Sequence, residues 1–547
     1  MSGQPRQARY PLGRQPEDAE IADIAALFAE SPPARHELIE ALHRLNDRDG
    51  SFTRPQLAAL ARLMGLSQAE VYEVATFYHH FHVVEEDEAR PPSRVVRVCD
   101  GLVCEAAGAL GLKKSLIEAS VDDLRVEFAP CMGACHRAPA ANACGVQVDE
   151  ATLETVQSAL KETPIVGPPA PQPLDRWSAL REGSLAIETV FSEITESDLR
   201  GMGGAGFPVA RKWAFLVDKP THQHLGHRHL VVNADEGEPG TFKDRWILEN
   251  EPYRFLEGAL IAATAVKADT IWIYLRDEYP RARAILTEAI ARIAGQTDEA
   301  GISIRLRRGA GAYICGEESA LLESLEGKRG LPRHKPPFPA DQGLFGEPTL
   351  VHNVETLWWI PEILERGGAW FRAQGENGAH GLRLYSLSGR VREPGVKRAP
   401  NGITTAGLIE RFGGGMAEGH RLRAFLPGGA SGGMLPAELA DQPLAFGALE
   451  ALGCFVGSGA VIVLSDQDDL KPVLRNLMAF FADESCGQCT PCRLGTEKAL
   501  RLMAAEDWDE SLLCTLSEVM AEASICGLGQ AAGNPINSYY RFFRGVS

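Results

Sequence analysis

The sequence has no apolar run long enough to cross a membrane, and its first twenty residues contain no apolar signal core. A membrane-spanning helix needs about 18 consecutive apolar residues, and a secretory signal needs an apolar segment near the start. Excess positive charge is also missing, because 73 acidic residues outnumber 55 basic ones and the net charge is −18. We therefore expect a cytoplasmic protein without membrane insertion or nucleic-acid binding, since phosphates require clustered Lys and Arg.

The 547 residues contain twelve cysteines, and several domains of about 100–200 residues each are expected from the length. Disulfides are not expected in a large chain without a secretion signal, so metal ligation or catalysis is the better interpretation. Eight of the cysteines belong to two groups with close spacing. The other four are expected to pack as small buried hydrophobes; they are Cys144, Cys315, Cys454 and Cys514.

The first cysteine group follows a predicted strand at 94–98, and its second pair follows another predicted strand at 124–128. Four thiols in two close pairs predict a four-thiolate metal site. Structural zinc is one alternative, but zinc sites usually show pairs of the C-x2-C kind. An iron–sulfur cluster is the other, since it also takes four thiolates. The pairs are Cys99-x4-Cys104 and Cys131-x3-Cys135.

The second cysteine group lies in a helical C-terminal stretch, 466–547. Three thiolates at C-x2-C-x2-C spacing with one remote cysteine are typical of a 4Fe–4S cluster. Thr490-Pro491 predicts a helix start at the cluster, because Pro is tolerated in the first helical turn. The four predicted ligands are Cys486, Cys489, Cys492 and Cys526.

Two glycine-rich loops predict a site for a flat or phosphate-bearing ligand. Gly201–Pro208 fits G-x-G-x-x-G, but a predicted helix precedes it, so an ordinary dinucleotide fingerprint is rejected. The acidic stretch 233–240 follows the apolar run 230–232 and suits hydroxyl donors better than a bare phosphate. A second loop, 309–318, lies between a predicted strand at 302–306 and a predicted helix at 319–325. Such a strand–loop–helix junction can hold a phosphate on free backbone N–H groups.

The remaining stretches divide the chain into an α/β multidomain protein. For residues 1–90, the pattern predicts a mobile tail to about residue 15 and then a helical bundle. Ser67-Gln-Ala-Glu70 has the form of a capping box at the start of one of these helices. The His79–His82 cluster is not expected to bind metal, because adjacent helical residues do not face one another. The predicted boundaries are 91–163 for the first cysteine domain, 164–175 for a stiff Pro-rich linker, 176–380 for an α/β domain, 381–465 for a small β-grasp module and 466–547 for a helical bundle. The loop 427–433 lacks the Lys of a P-loop.

Four stretches closely resemble the flavin- and NADH-binding subunit of respiratory NADH:quinone oxidoreductase and its soluble relatives. They are the glycine loop 201–208, the acidic stretch 233–240, the loop 309–318 and the segment 343–356. The block 485–493 is similar to that family's own 4Fe–4S motif. The first cysteine group resembles the ligands of the family's thioredoxin-like 2Fe–2S ferredoxin subunit, here fused to the flavin part. The resemblance also implies a ubiquitin-like fold for 381–465.

The resemblance implies FMN as the cofactor and NAD as the substrate, with no side chain needed as a catalytic acid or base. A nicotinamide exchanges two electrons as hydride and a cluster exchanges one, so a flavin must lie between them. By resemblance, FMN is held by Gly201, Gly203, Gly204, Lys212, Asn233, Asp235, Glu236, Tyr313, Gly316, Glu317, Asn353 and Thr356. The nicotinamide nucleotide would meet Phe207, Phe215, Glu238 and Glu318, with core packing an equal alternative for the two phenylalanines.

Two positions depart from the family pattern: Met202 stands where Arg is usual, and His352 replaces the first Asn of a pair. Met202 and the loop 427–433 look most like the beta (diaphorase) subunits of NAD-dependent formate dehydrogenases. The expected partner is then a catalytic alpha subunit with a molybdenum- or tungsten-pterin and further iron–sulfur clusters. The alternatives are the equivalent subunit of an NAD-reducing hydrogenase or of NADH:quinone oxidoreductase, and, in another class, a non-enzymatic electron carrier or zinc-stabilised scaffold.

Overall fold

The computed structural model describes residues 13–28, 31–85, 87–119, 124–161, 167–217 and 227–544. Most of the predicted N-terminal tail and part of the predicted linker lie outside these residues. At the described end of the tail, the Arg14 backbone N–H donates to Oε1 of Gln68 at 3.1 Å. No helix in these ranges is long and apolar enough to cross a membrane.

Four helices form the N-terminal region, and a short parallel pair of strands, Phe52–Thr53 and Val83–Val84, closes it. The predicted capping box at Ser67 is confirmed, because its side chain accepts from the backbone N–H of Glu70 and Glu70 reaches back to Ser67. Within the predicted histidine cluster, His80 is buried and bonds Asp277 at 2.8 Å, which agrees with a packing role. The helices are Asp18–Ala25, Leu38–Asp49, Arg54–Met64 and Gln68–Phe77.

A four-stranded sheet follows, in the order Leu124–Ala129, Arg94–Cys99, Ala141–Ala143, Val146–Val148. Its first two strands are parallel, with Cys99 opposite Ala129, so both predicted strands are confirmed and their carboxyl ends meet. The prediction that Cys144 is buried is wrong: it lies exposed in the turn before Val146, with φ +53°. Three helices cover the sheet: Leu102–Ala106, Ala109–Glu118 and Leu153–Ala159.

The central domain contains a parallel sheet in the order Thr349–Asn353, His229–Ala234, Thr270–Leu275, Ser303–Arg308. The strand order reverses between the first two, which pair Asn353 with Asn233. In open α/β sheets, ligands bind outside the carboxyl ends of the strands at such a reversal. The helices are Asp175–Arg181, Ile187–Ser197, Val209–Val217, Lys243–Asn250, Pro252–Val266, Pro280–Glu299, Glu318–Leu325, Val354–Arg366 and Gly368–Arg372.

A mixed five-stranded sheet comes next, in the order Gly395–Pro400, Leu382–Gly389, Ala460–Ser465, Leu422–Leu426, Leu435–Pro436. The helix Thr405–Phe412 lies against it and begins at the Thr404 cap. The chain ends in helices around a core that includes Leu477, Met503 and Met520. These helices are Leu470–Asp483, Thr490–Leu502, Glu510–Ala523, Gly527–Ala531 and Asn534–Phe542.

Candidate functional site

A cavity of about 260 Å³ lies at the strand reversal of the parallel sheet. Four parts of the chain line it: the carboxyl ends of the parallel sheet, the glycine loop 201–208, the loops of the mixed sheet, and the helix that begins after Cys526. Nine of the predicted flavin residues line it: Gly203, Gly204, Asn233, Asp235, Glu236, Tyr313, Gly316, Glu317 and Asn353.

The other predicted flavin residues stand behind this lining. Thr356 Oγ1 accepts from the backbone N–H of Met202 at 2.9 Å and so holds the glycine loop. Gly201 closes that loop by donating to the carbonyl of Phe207 at 2.9 Å. Lys212 Nζ lies 3.3 Å from a carboxylate oxygen of Glu318.

The glycine loop leaves space that a side chain would fill. A Cβ on Gly203 would lie 3.1 Å from the Cβ of Asn353, and Gly204 has φ +120° beside the backbone of Gly457. Gly237 lies against the Tyr313 ring, because a Cβ on Gly237 would lie 2.7 Å from Cδ2 of Tyr313. A flat group can therefore approach backbone closely, as glycine permits.

Buried charges give the cavity its polarity. Burial raises the pKa of Asp235 well above its usual range, and Oδ2 of Asp235 has no hydrogen-bond partner among the described residues. Burial, with Asp244 beside it, raises the pKa of Glu236 to about 7. An uncharged Asp235 can donate a hydrogen bond to a ligand, which a carboxylate cannot do.

One cation that lines the cavity was missed by sequence reasoning. Lys243 is fully buried, with Nζ 2.8 Å from Asp244 and 3.0 Å from Glu355. Burial opposes its charge, but the two carboxylates outweigh that and raise its pKa. No spacing rule marks Lys243, because its partner Glu355 arrives from a distant helix.

The loop 427–433 also reaches the cavity, where Gly428 and Ser431 contribute to the lining. Ser431 donates from its backbone N–H to Glu238 at 2.7 Å and from Oγ at 3.0 Å, and the hydroxyl of Tyr313 donates to the same carboxylate. Nearby, the hydroxyls of Thr241 and Ser458 lie 2.6 Å apart. Glu238 is thus held by the protein on several sides.

The predicted nicotinamide residues are divided between the cavity and the surface. Only Glu238 lines the cavity. Phe207 and Phe215 are 39% and 48% exposed, with ring centroids 6.1 Å apart, so the core-packing alternative is wrong. Glu318 bonds Lys335 at 2.7 Å, and Lys335 also reaches Glu317 at 3.1 Å. Exposed aromatic faces provide stacking area for a planar ring.

The two family departures lie in the core. Met202 is buried, and Nε2 of His352 accepts from the Trp213 indole N–H at 2.8 Å. Burial and Lys212 lower the pKa of His352 well below its usual range. Neither side chain lines the cavity.

The first cysteine group converges beside the cavity. Its four thiols are buried, and the sulfurs of Cys131 and Cys135 are 3.4 Å apart. Cys99 lies within hydrogen-bond reach of Cys104 and Cys131. The backbone N–H of Gly240, from the acidic loop of the central domain, points at Cys131 and Cys135. Four converging thiols with an amide donor fit an iron–sulfur cluster.

The second cysteine group lies at two helix N-termini on the other side of the cavity. Cys489 precedes the helix Thr490–Leu502, as predicted, and Cys526 precedes Gly527–Ala531. Backbone N–H groups there are free to face an anionic cluster. Burial raises the pKa of Cys492 to about 12 and of Cys526 to about 11, so cluster assembly would displace protons.

A close fit between Gly529 and Cys492 shapes this second group. A Cβ on Gly529 would lie 2.8 Å from the Cβ of Cys492.

Among the described residues, no group of three or more His, Cys, Asp or Glu side chains is arranged to hold a single metal ion.

The fold and the site define a protein class: a flavin domain fused to two iron–sulfur domains. Three family models match: "Nuo51 FMN-binding domain" over residues 194–362, "NADH-ubiquinone oxidoreductase-F iron-sulfur binding region" over 472–546 and "Thioredoxin-like [2Fe-2S] ferredoxin" over 24–164. The cofactors are therefore FMN, a 4Fe–4S cluster and a 2Fe–2S cluster, and NAD fits as substrate. The last match takes in both the N-terminal helices and the first cysteine group.

The relatives name the family. One of the NADH-quinone oxidoreductase F subunits of Rhizobium meliloti (strain 1021) is 42% identical over 388 residues, 67% of this chain and 90% of the relative. The corresponding F subunit of Rhodobacter capsulatus is 42% identical over 384 residues, 66% of this chain and 88% of that one. The chain belongs to the family of NADH-quinone oxidoreductase F subunits.

A solved structure matches almost the whole chain. The NAD+-reducing [NiFe]-hydrogenase in its H2-reduced state gives a TM-score of 0.81 at 33% identity, over 94% of this chain and 92% of that one. Its air-oxidized state gives 0.80 over the same share of this chain. The fused order of thioredoxin-like, flavin and C-terminal cysteine domains is thus shared with that hydrogenase chain.

Proposed function

We propose that this chain is the NAD(H)-handling diaphorase subunit of a multisubunit oxidoreductase. The observation that carries this is the placement of the cavity between the two thiol groups. On one side the acidic loop of the cavity contacts Cys131 and Cys135 through Gly240. On the other, Gly527 and Leu528 line the cavity directly after Cys526.

FMN, when bound, exchanges a hydride with nicotinamide and single electrons with iron–sulfur clusters. The twelve flavin residues named above would hold it, with Gly203 and Gly204 giving close backbone approach. Lys243 is a buried cation in the cavity lining, and it is paired with Asp244 and Glu355. Lys212, the lysine expected among the flavin residues, pairs with Glu318.

Nicotinamide binding is assigned to the surface next to the cavity. Phe207 and Phe215 offer exposed ring faces, and Glu318 is paired with Lys212 and Lys335. Glu238 keeps its carboxylate bound to Tyr313 and Ser431, so its role is to shape the cavity wall. The eight predicted thiol ligands would hold the clusters.

The partner is the finer part of the proposal. The F subunits and the hydrogenase named above support an NAD-reducing hydrogenase or NADH:quinone oxidoreductase better than a formate dehydrogenase. The hydrogenase comparison extends over 94% of the chain, against 67% for the Rhizobium relative, because it includes the fused 2Fe–2S domain. A partner with a pterin cofactor and formate activity stays a second candidate, motivated by Met202 and the loop 427–433.

We also propose the domain boundaries predicted from sequence, with 381–465 as a ubiquitin-like β-grasp module. All strands of the mixed sheet fall within those bounds, and one helix, Thr405–Phe412, lies against them. Limited proteolysis with mass spectrometry would place the domain borders. Cleavage concentrated inside 381–465 would contradict the module.

The test is purification from a native host under anaerobic conditions. The expected protein contains one FMN per chain, shows 2Fe–2S and 4Fe–4S EPR signals on reduction, and reduces ferricyanide with NADH. A chain that holds zinc and no flavin would contradict the diaphorase assignment. Assaying the co-purified complex with hydrogen, quinone and formate in parallel then identifies the partner, and formate activity alone would restore our first expectation.

A further inference from the structure

Two arginines of the central domain tie the first thiol loop to the wall of the flavin cavity. Arg276 follows the strand Thr270–Leu275 and is 4% exposed. Its Nη2 donates to the backbone carbonyl of Cys131 at 2.8 Å, and its Nη1 donates to the backbone carbonyl of Glu236. One guanidinium therefore bonds a predicted cluster ligand and a cavity residue at once.

A second connection runs beside it. Arg245 Nη1 donates to the carbonyl of Gly133 at 3.0 Å, and its backbone N–H donates to the Glu236 carboxylate at 3.0 Å. The Tyr279 hydroxyl donates to that carboxylate at 2.9 Å. Gly133 has φ +63°, and a Cβ there would lie 2.3 Å from the Tyr279 hydroxyl oxygen. The loop that carries Cys131 is thus packed tightly against the cavity wall.

The charge on Arg276 is secured by one carboxylate. Nη2 of Arg276 lies 3.1 Å from Oε1 of Glu278, and Nε lies 3.2 Å from Oε2. Burial opposes the charge, but Glu278 outweighs it and raises the pKa of Arg276. Glu278 also faces Nε2 of His80 at 3.6 Å. A permanent cation is therefore buried beside the backbone of Cys131. Charges interact more strongly in such a low-dielectric environment than in water.

We propose that Arg276 is a positioning residue that joins the 2Fe–2S ligand loop to the flavin cavity and raises the reduction potential of the 2Fe–2S cluster. This inference rests on the proposed function. Reduction adds one electron and one negative charge to the cluster, with no proton required. A fixed cation whose donor atom lies 2.8 Å from a ligand's carbonyl favours the more negative state, and hydrogen bonding and charge are known levers on cluster potentials.

The test is an EPR-monitored redox titration of the anaerobic holoprotein and three variants. Arg276→Gln should lower the equilibrium constant for reduction of the 2Fe–2S cluster about tenfold. For a one-electron couple, that lowers the reduction potential by about 59 mV. Glu278→Gln leaves the cation without its counter-charge and should shift the potential in the opposite direction. The 4Fe–4S potential is the internal control and should stay constant in both.

Arg276→Lys separates charge from geometry. Lysine keeps the positive charge but lacks the planar fork that reaches two carbonyls. The 2Fe–2S reduction potential of this variant should therefore stay close to that of the wild type, while its iron is lost faster to a ferrous chelator. Equal potentials in wild type, Arg276→Gln and Glu278→Gln, or shifts of one sign in both, would overturn the inference. Absence of flavin or of a 2Fe–2S signal in the wild type would instead overturn the proposed function.

Discussion

The two thiol groups differ in their access to solvent. Cys99, Cys104, Cys131 and Cys135 are all buried, at the seam between the thioredoxin-like and central domains. In the C-terminal group only Cys492 is buried, while Cys486, Cys489 and Cys526 are partly exposed. Both groups adjoin the cavity, but the thiols of the second group are the more exposed. Under the proposed function, the buried group would be an internal electron store and the more exposed group an outlet toward a partner. The experiments below are ordered by how strongly they test that difference.

The largest effect is expected from filling the cavity that serves both groups. Gly203→Val adds two methyl groups to a Cβ that would already lie 3.1 Å from the Cβ of Asn353. FMN should be absent from the purified variant, and NADH should reduce neither cluster while dithionite reduces both, as followed by EPR. Gly295→Ala, in a helix with open space around it, should keep full flavin content. Normal flavin in Gly203→Val would remove the cavity as the FMN site.

Removing one ligand from each group should separate their roles. Cys492→Ser should lose the 4Fe–4S signal and abolish NADH-driven reduction of the co-purified partner, yet keep ferricyanide reduction by the flavin. Cys131→Ser should lose only the 2Fe–2S signal and retain measurable partner reduction, because the four thiols of that group are buried. Stopped-flow absorbance with EPR of frozen samples measures both. Equal loss of partner reduction in the two variants would contradict the division.

Exposure should also control the rate at which iron is lost. A ferrous chelator is expected to strip the 4Fe–4S site at least several-fold faster than the 2Fe–2S site, because partly exposed ligands need only local opening. Loss of each EPR signal over time under anaerobic conditions gives the two rates. If the buried site loses iron first, solvent access does not decide the lability.

A smaller effect is expected where a side chain supports the exposed loop. Arg493 Nη1 donates to the carbonyl of Gly487 at 2.6 Å, between two predicted ligands. Arg493→Met should speed chelation of the 4Fe–4S site by about 3–10-fold, the worth of a hydrogen bond of about 0.5–1.5 kcal/mol. Arg501→Met, on the same helix and paired with Glu497, should leave the rate unchanged. A similar increase in both variants would point to general loss of helix stability.

The effect least connected with the two thiol groups concerns the attachment of the N-terminal helices to the central domain. His43 Nε2 bonds the carbonyl of Gly309 at 2.7 Å, and burial lowers the pKa of His43 to about 3. An unfolded histidine titrates near 6.5, so the unfolded state binds the extra proton first. Stability should therefore fall as pH drops from about 6.5 toward 3, by at most about 1.4 kcal/mol per pH unit for this group.

Urea unfolding followed by tryptophan fluorescence at pH 7, 6 and 5 would measure that slope. His43→Gln can keep the bond to Gly309 without titrating, so its slope should be shallower than that of the wild type. His82→Gln replaces an exposed histidine and should match the wild type. An unchanged slope in His43→Gln would show that other groups cause the acid sensitivity.

Local pattern accounts for much of the fold. The strands Arg94–Cys99 and Leu124–Ala129 and the helices Glu318–Leu325 and Thr490–Leu502 agree with the sequence predictions, because apolar alternation and capping act over a few residues. Predicted element ends are less accurate: the strand expected at 302–306 runs from Ser303 to Arg308. Cys144 shows the limit of composition, since a cysteine in a turn has no core to enter.

The sequence by itself determined the eight spaced thiols, the glycine loops and the family they indicate, because ligand spacing and backbone freedom are written in neighbouring residues. Only the tertiary structure decided that Asn233 and Asn353 meet at a strand reversal, that Phe207 and Phe215 face solvent, and that Lys243 and Arg276 enter the site. Those contacts join segments up to about 145 residues apart, and strand order and domain packing, which no local pattern encodes, bring them together.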